Sequence, residues 1–395
     1  MPSLYGGKGG RGMSRAAKAL FGVALATFLG LGGARAEPVQ INVIDVAGNL
    51  ALTEKIFENY QAANPGKVSR FTFTKAPAPE LAGKIKAMQA ANRMGIDIVL
   101  TGTDGLAAGL EMGLWEDLSP KVAIIGRPDD LYGQGALDLQ RMADMRAMLV
   151  AYSPQGPFLE YAPDRVAVPP RSAEELLAWC KAHPNKLIYA RPANSGAGRT
   201  FIMALPYILG DKDPADPVNG WEKTWAYLKD LNSCIEYYPS GTTASMKEFA
   251  NGTRDIIVTT MGWDINPRAL GIVPASAEVA SLKDFSFVSD GQFFAVPKGL
   301  PAAKRDVVLD ILKFMLKPDQ QAIIYDAGYL YPGPAVKDVT IEMAPQESRD
   351  IIAKFGRPIY DELMAKTPIK VLLEPKAMVA AFRRWDDEIG AGKGN

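Results

Sequence analysis

Apolar and polar residues in the first part of the chain alternate in a way that predicts strands and helices in turn. Short apolar runs at 41–46, 71–74 and 96–100 are typical of β-strands. Between them, apolar positions at helical spacing predict helices over 50–62 and 79–93. This alternation predicts a mostly parallel sheet covered by helices.

The same rhythm resumes after about residue 148. The apolar runs predict strands at 186–190, 235–238, 255–260, 285–288 and 293–296, and helices near 174–179, 197–209, 220–231 and 243–250. Between the last two strands stands Asp290-Gly291, a dipeptide typical of tight turns. The sequence therefore predicts a second α/β unit that ends in a hairpin.

The last hundred residues are predicted to be mainly helical. Met378, Phe382, Trp385 and Ile389 are spaced so that they form one apolar stripe of a closing helix. Large apolar side chains of this kind are usually buried. The stripe therefore predicts core packing rather than a surface for a partner.

These segments predict two lobes, each with its own sheet, joined by crossings near 148–153 and 288–293. The first lobe is expected to comprise 37–147 and 290–395, including the helical tail, and the second lobe 148–289. Two lobes joined by strands form a hinge with a cleft between them. In open α/β sheets the ligand lies beyond the carboxyl ends of the strands, so the loops that follow strands are the places to examine.

The N-terminus carries the features of an export signal. Residues 1–36 contain five basic residues and no acidic one, and an apolar run of 15 residues extends from Ala19 to Gly33. The run is shorter than the ~20 residues that span a bilayer, and Ala34-Arg35-Ala36 is a typical cleavage pattern. We expect a signal peptide cleaved after Ala36, with translation starting at Met1 or Met13.

The composition is that of a soluble globular protein. The 395 residues include 44 Lys and Arg against 44 Asp and Glu, with 22% charged and 48% hydrophobic residues. These values exclude a disordered chain, a collagen-like fibre and a multi-span membrane protein. Removal of 1–36 leaves 39 basic and 44 acidic residues. Such an acidic balance offers no basic footprint for nucleic acid.

One histidine and two cysteines limit the available chemistry. His183 alone excludes a multi-histidine metal site, and no convincing catalytic triad can be assembled around it. Its place before Pro184 predicts a role at a helix end. Cys180 and Cys234 either form one disulfide or remain buried thiols. Paired carboxylates for hydrolysis stay open as an alternative.

The loops after the predicted strands are rich in glycine and in side chains that donate hydrogen bonds. They are the segments 47–49, 101–105, 191–200, 239–243 and 261–266. Small residues let a ligand approach backbone N–H groups, and a helix N-terminus favours a negative group. Because most of these loops open a predicted helix, the cleft is expected to suit an anionic group.

The sharpest of these loops is Ser195-Gly196-Ala197-Gly198-Arg199-Thr200. It is neither a P-loop nor a dinucleotide fingerprint, because Ala193, Arg199 and Phe201 stand where those motifs need other residues. One interpretation is a pocket for a carboxylate, phosphonate or other oxyanion, with Arg199 as the counter-charge. The alternative is a helix cap with flexible glycines.

Two aromatic segments are further candidates. Trp263 beside Asp264 can hold an ammonium or guanidinium group by cation–π and charge attraction. The alternative is a buried tryptophan followed by an aspartate that caps a helix. The rigid segment 329–334 either lines a cleft or packs in the core.

Several stretches resemble the bacterial extracellular solute-binding proteins of ABC importers, in the subgroup of polyamine, ferric-iron, thiamine and maltose receptors. The resemblance spans nearly all of 37–395. The segments that carry it are 97–104, 113–118, 191–200, 262–264, 291–299, 316–322 and 381–389. Tyr329 and Tyr331 resemble the tyrosine pair of ferric-iron receptors, whereas the acidic residues of a polyamine tunnel are not obvious.

The resemblance implies a two-lobed periplasmic-binding-protein fold of type II, in which each lobe is a mixed, mostly parallel sheet flanked by helices. It implies a monomeric periplasmic receptor that captures a small polar solute by hinge closure and delivers it to an ABC permease in the inner membrane. No catalysis, cofactor, metal or nucleic-acid partner is expected.

The expected ligand contacts come from the loops of both lobes and favour a solute with an anionic group. They are Asn49, Thr101, Thr103, Asp104, Asn194, Ser195, Gly196, Arg199, Thr200, Trp263, Asp264 and Tyr331. A cationic amine held by Asp104 and Asp264 is one alternative. A secreted hydrolase that uses paired carboxylates is the other.

Overall fold

The strands of the described residues form two separate sheets. The structure is a computed structural model that describes residues 37–46, 48–76 and 78–393; the predicted signal peptide lies outside the described residues. The strands are β1 (Val39–Asp45), β2 (Val68–Lys75), β3 (Ile98–Gly102), β4 (Ala147–Gly156), β5 (Phe158–Tyr161), β6 (Leu187–Ile188), β7 (Ile256–Thr259), β8 (Glu278–Ala280), β9 (Phe287–Ala295), β10 (Gly333–Pro334) and β11 (Ile369–Lys370).

Helices connect the strands and cover both sheets. They are α1 (Asn49–Ala63), α2 (Ala78–Ala90), α3 (Thr103–Glu111), α4 (Val122–Ile125), α5 (Pro128–Leu131), α6 (Gln134–Arg141), α7 (Ala173–Ala182), α8 (Gly196–Ile208), α9 (Glu222–Asn232), α10 (Thr242–Ala250), α11 (Gly262–Ala269), α12 (Ala302–Met315), α13 (Pro318–Gln321), α14 (Gln346–Phe355), α15 (Pro358–Lys366) and α16 (Pro375–Trp385). None of the helices in the described ranges is long and apolar enough to cross a membrane.

The first sheet has the strand order β10-β4-β9-β3-β1-β2, with β11 beside β9. β1 is parallel to β2 and β3, whereas β9 is antiparallel to β3 and β4. β3 and β9 are buried along their whole length, as expected of strands covered on both faces. The carboxyl end of β3 leads directly into α3, and α1 is the helix that follows β1.

The second sheet has the strand order β6-β7-β5-β8. Only β6 and β7 are parallel, and β5 is antiparallel to both β7 and β8. The predicted mixed sheets flanked by helices are confirmed, but the prediction that they are mostly parallel is wrong. Among the described residues the first sheet has three parallel and three antiparallel strand pairs, and the second has one parallel and two antiparallel pairs. The predicted boundaries between the lobes, after residues 147 and 289, lie within β4 and β9. They stay predictions.

Two local predictions are wrong. Asp290 and Gly291 form no turn but lie in the middle of β9, opposite Ser153 and Tyr152 of β4. Pairing with β4 at this point, within a strand that also pairs with β3 and β11 at its two ends, overrides the local turn preference of this dipeptide. The segment 235–238 is not a strand, because β-type side chains form a strand only where a partner strand is available.

The C-terminal helix joins the core as predicted. Met378, Trp385 and Ile389 are buried, and Phe382 packs against the same cluster. The Trp385 indole N–H donates to the Tyr189 hydroxyl at 3.1 Å. The apolar stripe of this helix is therefore a packing surface.

The two cysteines form a disulfide. Cys180 in α7 is bonded to Cys234, which follows α9, across a sequence separation of 54 residues. This outcome decides between the two thiol states that the sequence left open. His183 ends α7, where its Nδ1 lies 2.8 Å from the Trp179 carbonyl oxygen and its ring stacks on the Trp179 indole. It therefore has the predicted role at a helix end.

Candidate functional site

A cavity of about 530 Å³ lies between elements of the first sheet and elements of the second. Its lining is contributed by loops and helix starts on both sides and by the two long strands β4 and β9. The lining residues are Gly48, Gln155, Asn194, Gly196, Arg199, Ser240, Gly241, Thr242, Thr243, Ala244, Lys247, Trp263, Asp290, Gln292, Tyr329 and Leu330. This volume suits a small molecule.

Four helices begin at this cavity: α1, α8, α10 and α11. The first N–H groups of a helix have no partner within the helix, and the helix dipole adds partial positive charge at this end. The start of α10 carries no side-chain cap on Gly241. The Ala244 N–H donates to the Gly241 carbonyl oxygen, which leaves the N–H groups of Thr242 and Thr243 without a partner within the helix. Both residues line the cavity beside Lys247, the exposed lysine of the same helix.

Glycines allow the backbone to come close at two of these helix starts. Gly48, before α1, has φ of 78°, and a side chain there would lie 2.6 Å from the Tyr329 hydroxyl. Gly262 opens α11, and a Cβ at this position would collide with the backbone nitrogen of Leu330. A side chain at either position would overlap a neighbouring atom, so glycine is required in the loops after β1 and β7.

The starts of α8 and α10 are tied to each other. The Ser195 hydroxyl accepts from the backbone N–H of Gly198 at 3.1 Å and lies 2.6 Å from the Thr242 hydroxyl. Ser195 is thus both the N-cap of α8 and a link to α10. The interpretation of the 195–200 loop as a helix cap is confirmed at Ser195. The loop also borders the cavity, whereas the oxyanion pocket with Arg199 as its counter-charge stays a prediction.

Arg199 is engaged by two carboxylates at the wall of the cavity. Its Nε and Nη2 donate to Asp290 Oδ2 at 3.1 and 2.6 Å, and its Nη1 lies 3.4 Å from Asp104 Oδ2. Burial would lower the pKa of the Arg199 guanidinium, but the charges of Asp290 and Asp104 outweigh it and raise that pKa. The Thr103 hydroxyl also donates to Asp290, at 2.8 Å. We call Arg199, Asp290 and Asp104 the ion triad.

The structure brings only part of the predicted site together. Asn194, Gly196, Arg199 and Trp263 line the cavity. Three further predicted residues lie behind that lining and contact other residues of this region. The Thr103 hydroxyl donates to Asp290, Asp104 forms an ion pair with Arg199, and the Ser195 hydroxyl is hydrogen-bonded to that of Thr242. Asn49, Thr101, Thr200, Asp264 and Tyr331 do not line it. As ligand contacts these residues stay predictions.

Several lining residues were absent from the predicted set. The loop 239–243 is one of the Gly-containing loops after predicted strands, but Lys247 lies one turn further along α10. Gln155, Asp290 and Gln292 lie inside strands, where a search restricted to loops does not reach. The available signal was the presence of polar side chains within otherwise apolar, buried strands.

Asp264 belongs to a buried ionic cluster instead of the cavity. Its carboxylate accepts from Arg268 at 2.8 and 2.9 Å, from Arg357 at 2.7 and 2.9 Å, and from the Tyr360 hydroxyl at 2.7 Å. Glu160 of β5 lies in the same electrostatic environment, and both its oxygens lack a hydrogen-bond partner among the described residues. The predicted cation–π role of the Trp263-Asp264 pair is therefore not supported by where the aspartate lies.

Replacing Glu160 with glutamine is expected to raise the melting temperature at pH 8 and to change it little at pH 4. Burial raises the pKa of Glu160 well above its usual value, and Asp264 adds to this against the attraction of Arg357 and Arg268. A raised folded-state pKa stabilises the protein below the unfolded-state value, and this contribution is lost as the pH rises through the folded-state pKa.

Thermal unfolding followed by circular dichroism from pH 4 to pH 8 measures this effect of Glu160→Gln. Glu54→Gln, at an exposed position of α1, is the matched control. A variant less stable than the wild type at pH 8 would contradict the expectation.

The two tyrosines of the 329–334 segment lie in different places, one at the cavity and one outside its lining. Tyr329 lines the cavity, and burial raises its pKa, so the phenol is neutral at ordinary pH. Tyr331 lies outside the lining with its hydroxyl 3.3 Å from Asp361, and burial, with the Asp361 charge, raises its pKa to about 12. They do not form a pair facing one ligand. Within the described ranges, no group of three or more His, Cys, Asp or Glu residues is placed to hold a metal.

Solved structures of similar fold cover almost the whole chain. A protein from Trichodesmium (IdiA, FutA) in complex with iron and citrate has 14% identity, covers 90% of this chain and 100% of its own, and has a TM-score of 0.61. A putative spermidine/putrescine ABC transporter from Listeria monocytogenes has 14% identity, coverage of 89% and 99%, and a TM-score of 0.62. AfuA from Actinobacillus pleuropneumoniae, a periplasmic binding protein with fructose-6-phosphate bound, has 16% identity, coverage of 89% and 99%, and a TM-score of 0.62.

The sequence itself matches a known family, although no individual curated protein matches it significantly. The family model described as bacterial extracellular solute-binding protein matches residues 55–354, which is more than half of the chain. Together with the shared fold, this match means that the chain belongs to the family of bacterial extracellular solute-binding proteins.

Proposed function

We propose that this protein is the periplasmic receptor of an ABC importer and that it captures a small solute with an anionic group. The solute lies in the cavity between the two sheets, and the closed receptor delivers it to a permease in the inner membrane. The predicted signal peptide of residues 1–36 supplies export. The receptor acts as a monomer and without catalysis.

The observation that carries the anionic assignment is the open start of α10 beside Lys247. The helix begins at the cavity with no side chain on its first N–H groups, and a lysine of the same helix borders that cavity. Free N–H groups and a cation together form a site for an oxyanion. Arg199, the counter-charge expected from the sequence, is engaged by Asp290 and Asp104 instead.

The ionic contacts of the buried carboxylates favour neither a cationic solute nor hydrolysis. A cationic solute was expected to contact Asp104 and Asp264, but each of these carboxylates already lies beside arginine. A hydrolase needs a carboxylate pair that is free to exchange protons. Asp290, a carboxylate that lines the cavity, shares the Arg199 guanidinium with Asp104 behind it, which favours binding over hydrolysis.

The related proteins support the transport role. One is named as part of an ABC transporter and another as a periplasmic binding protein with a sugar phosphate bound. A solute that contacts elements of both sheets stabilises the closed form. Shifting a 1:99 mixture of closed and open forms to 99:1 requires about 5.5 kcal/mol of preferential binding.

Replacing Lys247 with methionine is expected to weaken solute binding about 10- to 100-fold, the effect of losing one charge-assisted hydrogen bond. The solute is first released from the denatured purified protein and identified by mass spectrometry, and its affinity is then measured by calorimetry. Lys366→Met, at an exposed position of α15, is the matched control. Release of a cationic solute, or an unchanged affinity of Lys247→Met, would overturn the anionic assignment.

A further inference from the structure

Two buried glutamines at the cavity have side-chain oxygens without partners. Gln155 of β4 is 1% exposed and Gln292 of β9 is 8% exposed. Both line the cavity, and the Oε1 atom of each has no hydrogen-bond partner among the described residues. A buried acceptor without a partner is unfavourable, so these two atoms point to a ligand that supplies donors.

The backbone of both glutamines is held by its strand. Gln292 lies in the centre of the first sheet, opposite Gly102 of β3 and Ala151 of β4. Gln155 has a φ of 69°, which is uncommon outside glycine, and its carbonyl oxygen accepts from the Met261 N–H at 3.0 Å. Both side-chain amides therefore belong to paired strands and offer hydrogen-bonding groups at the wall of the cavity.

The surrounding charges favour hydroxyl groups as the donors. An ammonium group would prefer a free carboxylate, but Asp290, the carboxylate that lines the cavity, is paired with Arg199. A hydroxyl group both donates and accepts, so it satisfies a side-chain amide in either orientation. The edge-to-face pair of Trp263 and Tyr329, with centroids 5.1 Å apart, adds an apolar wall of the kind found in small-molecule sites.

On the basis of the proposed function, we infer that the solute is a hydroxylated anion, either a polyhydroxy carboxylate or a sugar phosphate. Its charged group lies at the start of α10 beside Lys247. Its hydroxyl groups hydrogen-bond to the side-chain amides of Gln155 and Gln292. The strands β4 and β9 thus recognise the polar body of the solute, while the second sheet's helices hold its charge.

The test compares matched solutes on the wild-type protein by thermal shift and calorimetry. The hydroxylated anions are gluconate, glucuronate, glycerol 3-phosphate and glucose 6-phosphate. The first two carry a carboxylate and the last two a phosphate, so this set also shows which charged group is preferred. The hydroxyl-free anions are hexanoate and propyl phosphate, and the neutral control is glucose. We expect at least one hydroxylated anion to bind at least tenfold more tightly than its hydroxyl-free counterpart and than glucose.

Variants connect this preference to the two glutamines. Gln155→Leu and Gln292→Leu should each weaken binding of the hydroxylated anion about tenfold, the value of one neutral hydrogen bond. Their melting temperatures should be unchanged or higher, because each removes a buried acceptor without a partner. Gln134→Leu, at an exposed position of α6, is the control and should bind like the wild type.

The outcomes separate this inference from the proposed function. If hexanoate or propyl phosphate binds as tightly as the hydroxylated anions, the inference is overturned while the anionic assignment stands. If glucose binds as tightly as the anions, or no anion of either set binds, both are overturned. If both leucine variants fold and keep the wild-type preference, the hydroxyl groups are recognised elsewhere and the role of Gln155 and Gln292 is overturned.

Discussion

Replacing Asp264 with alanine is expected to lower the free energy of unfolding by about 3–5 kcal/mol, the range for removing one partner of a buried ion pair. The Asp264 carboxylate is fully buried and accepts hydrogen bonds from Arg268, Arg357 and Tyr360. Without it, two guanidinium groups and a phenol lose their common acceptor while they remain in the protein. Chemical denaturation followed by circular dichroism measures the loss.

The loss should depend on pH in a defined direction. Burial would raise the pKa of Asp264, but the hydrogen bonds and charges of Arg357 and Arg268 outweigh it and hold that pKa below its usual value. A lowered folded-state pKa stabilises the protein above the unfolded-state value of about 3.9, and the contribution is lost as the pH falls through the folded-state pKa. The difference between the wild type and Asp264→Ala should therefore shrink in acid.

Asp306→Ala, at an exposed position of α12, is the control for this variant and should change the stability little. The two interpretations of Asp264 make opposite predictions. A ligand contact would leave the stability of the solute-free protein close to that of the wild type and abolish binding of an amine. That result would contradict the structural role of the ionic cluster.

Much of the fold was predictable because local periodicity and burial agree in it. The apolar run at 41–46 corresponds to β1, and the helical spacing over 50–62 corresponds to α1. Both elements carry their apolar side chains at the spacing their structure requires. The closing helix was predictable for the same reason, since its stripe of large apolar residues packs on one face.

The central strands were harder to predict because their partners are distant in sequence. β4 contains serine, proline and glutamine, so its pattern does not alternate, and it pairs with β9 about 140 positions further along the chain. Asp290 is tolerated inside β9 because Arg199 and Thr103 donate hydrogen bonds to its carboxylate. Neither the strand pairing nor these donors can be recognised in a local window of sequence.

The candidate site was predictable only where it lies on loops. The glycines of the 195–200 and 239–243 segments indicated that backbone N–H groups would be accessible, and both segments border the cavity. The sequence could not reveal that Arg199 lies between two carboxylates, because Asp104 and Asp290 are far from it in the chain. Charge in a site depends on such neighbours, which only the fold brings together.

Replacing Arg199 with methionine is expected to lower the free energy of unfolding of the solute-free protein by about 3–5 kcal/mol. The substitution leaves Asp290 and Asp104 without their counter-charge, although their side chains are only 5% and 8% exposed. The ion triad also joins α8 to β9 and α3, so its loss removes a link between elements of the two sheets. Denaturation of solute-free protein and calorimetry with the released solute measure the two effects separately.

A second substitution distinguishes the ion triad from a direct contact with the solute. Adding Asp290→Asn to Arg199→Met removes one of the two uncompensated charges, so the double variant should recover part of the lost stability. If Arg199 were instead the counter-charge of the solute, Arg199→Met would abolish binding and leave the solute-free stability within about 1 kcal/mol of the wild type. In that case the addition of Asp290→Asn would recover no stability, and the positive charge at the site would belong to Arg199 rather than to Lys247 and the start of α10.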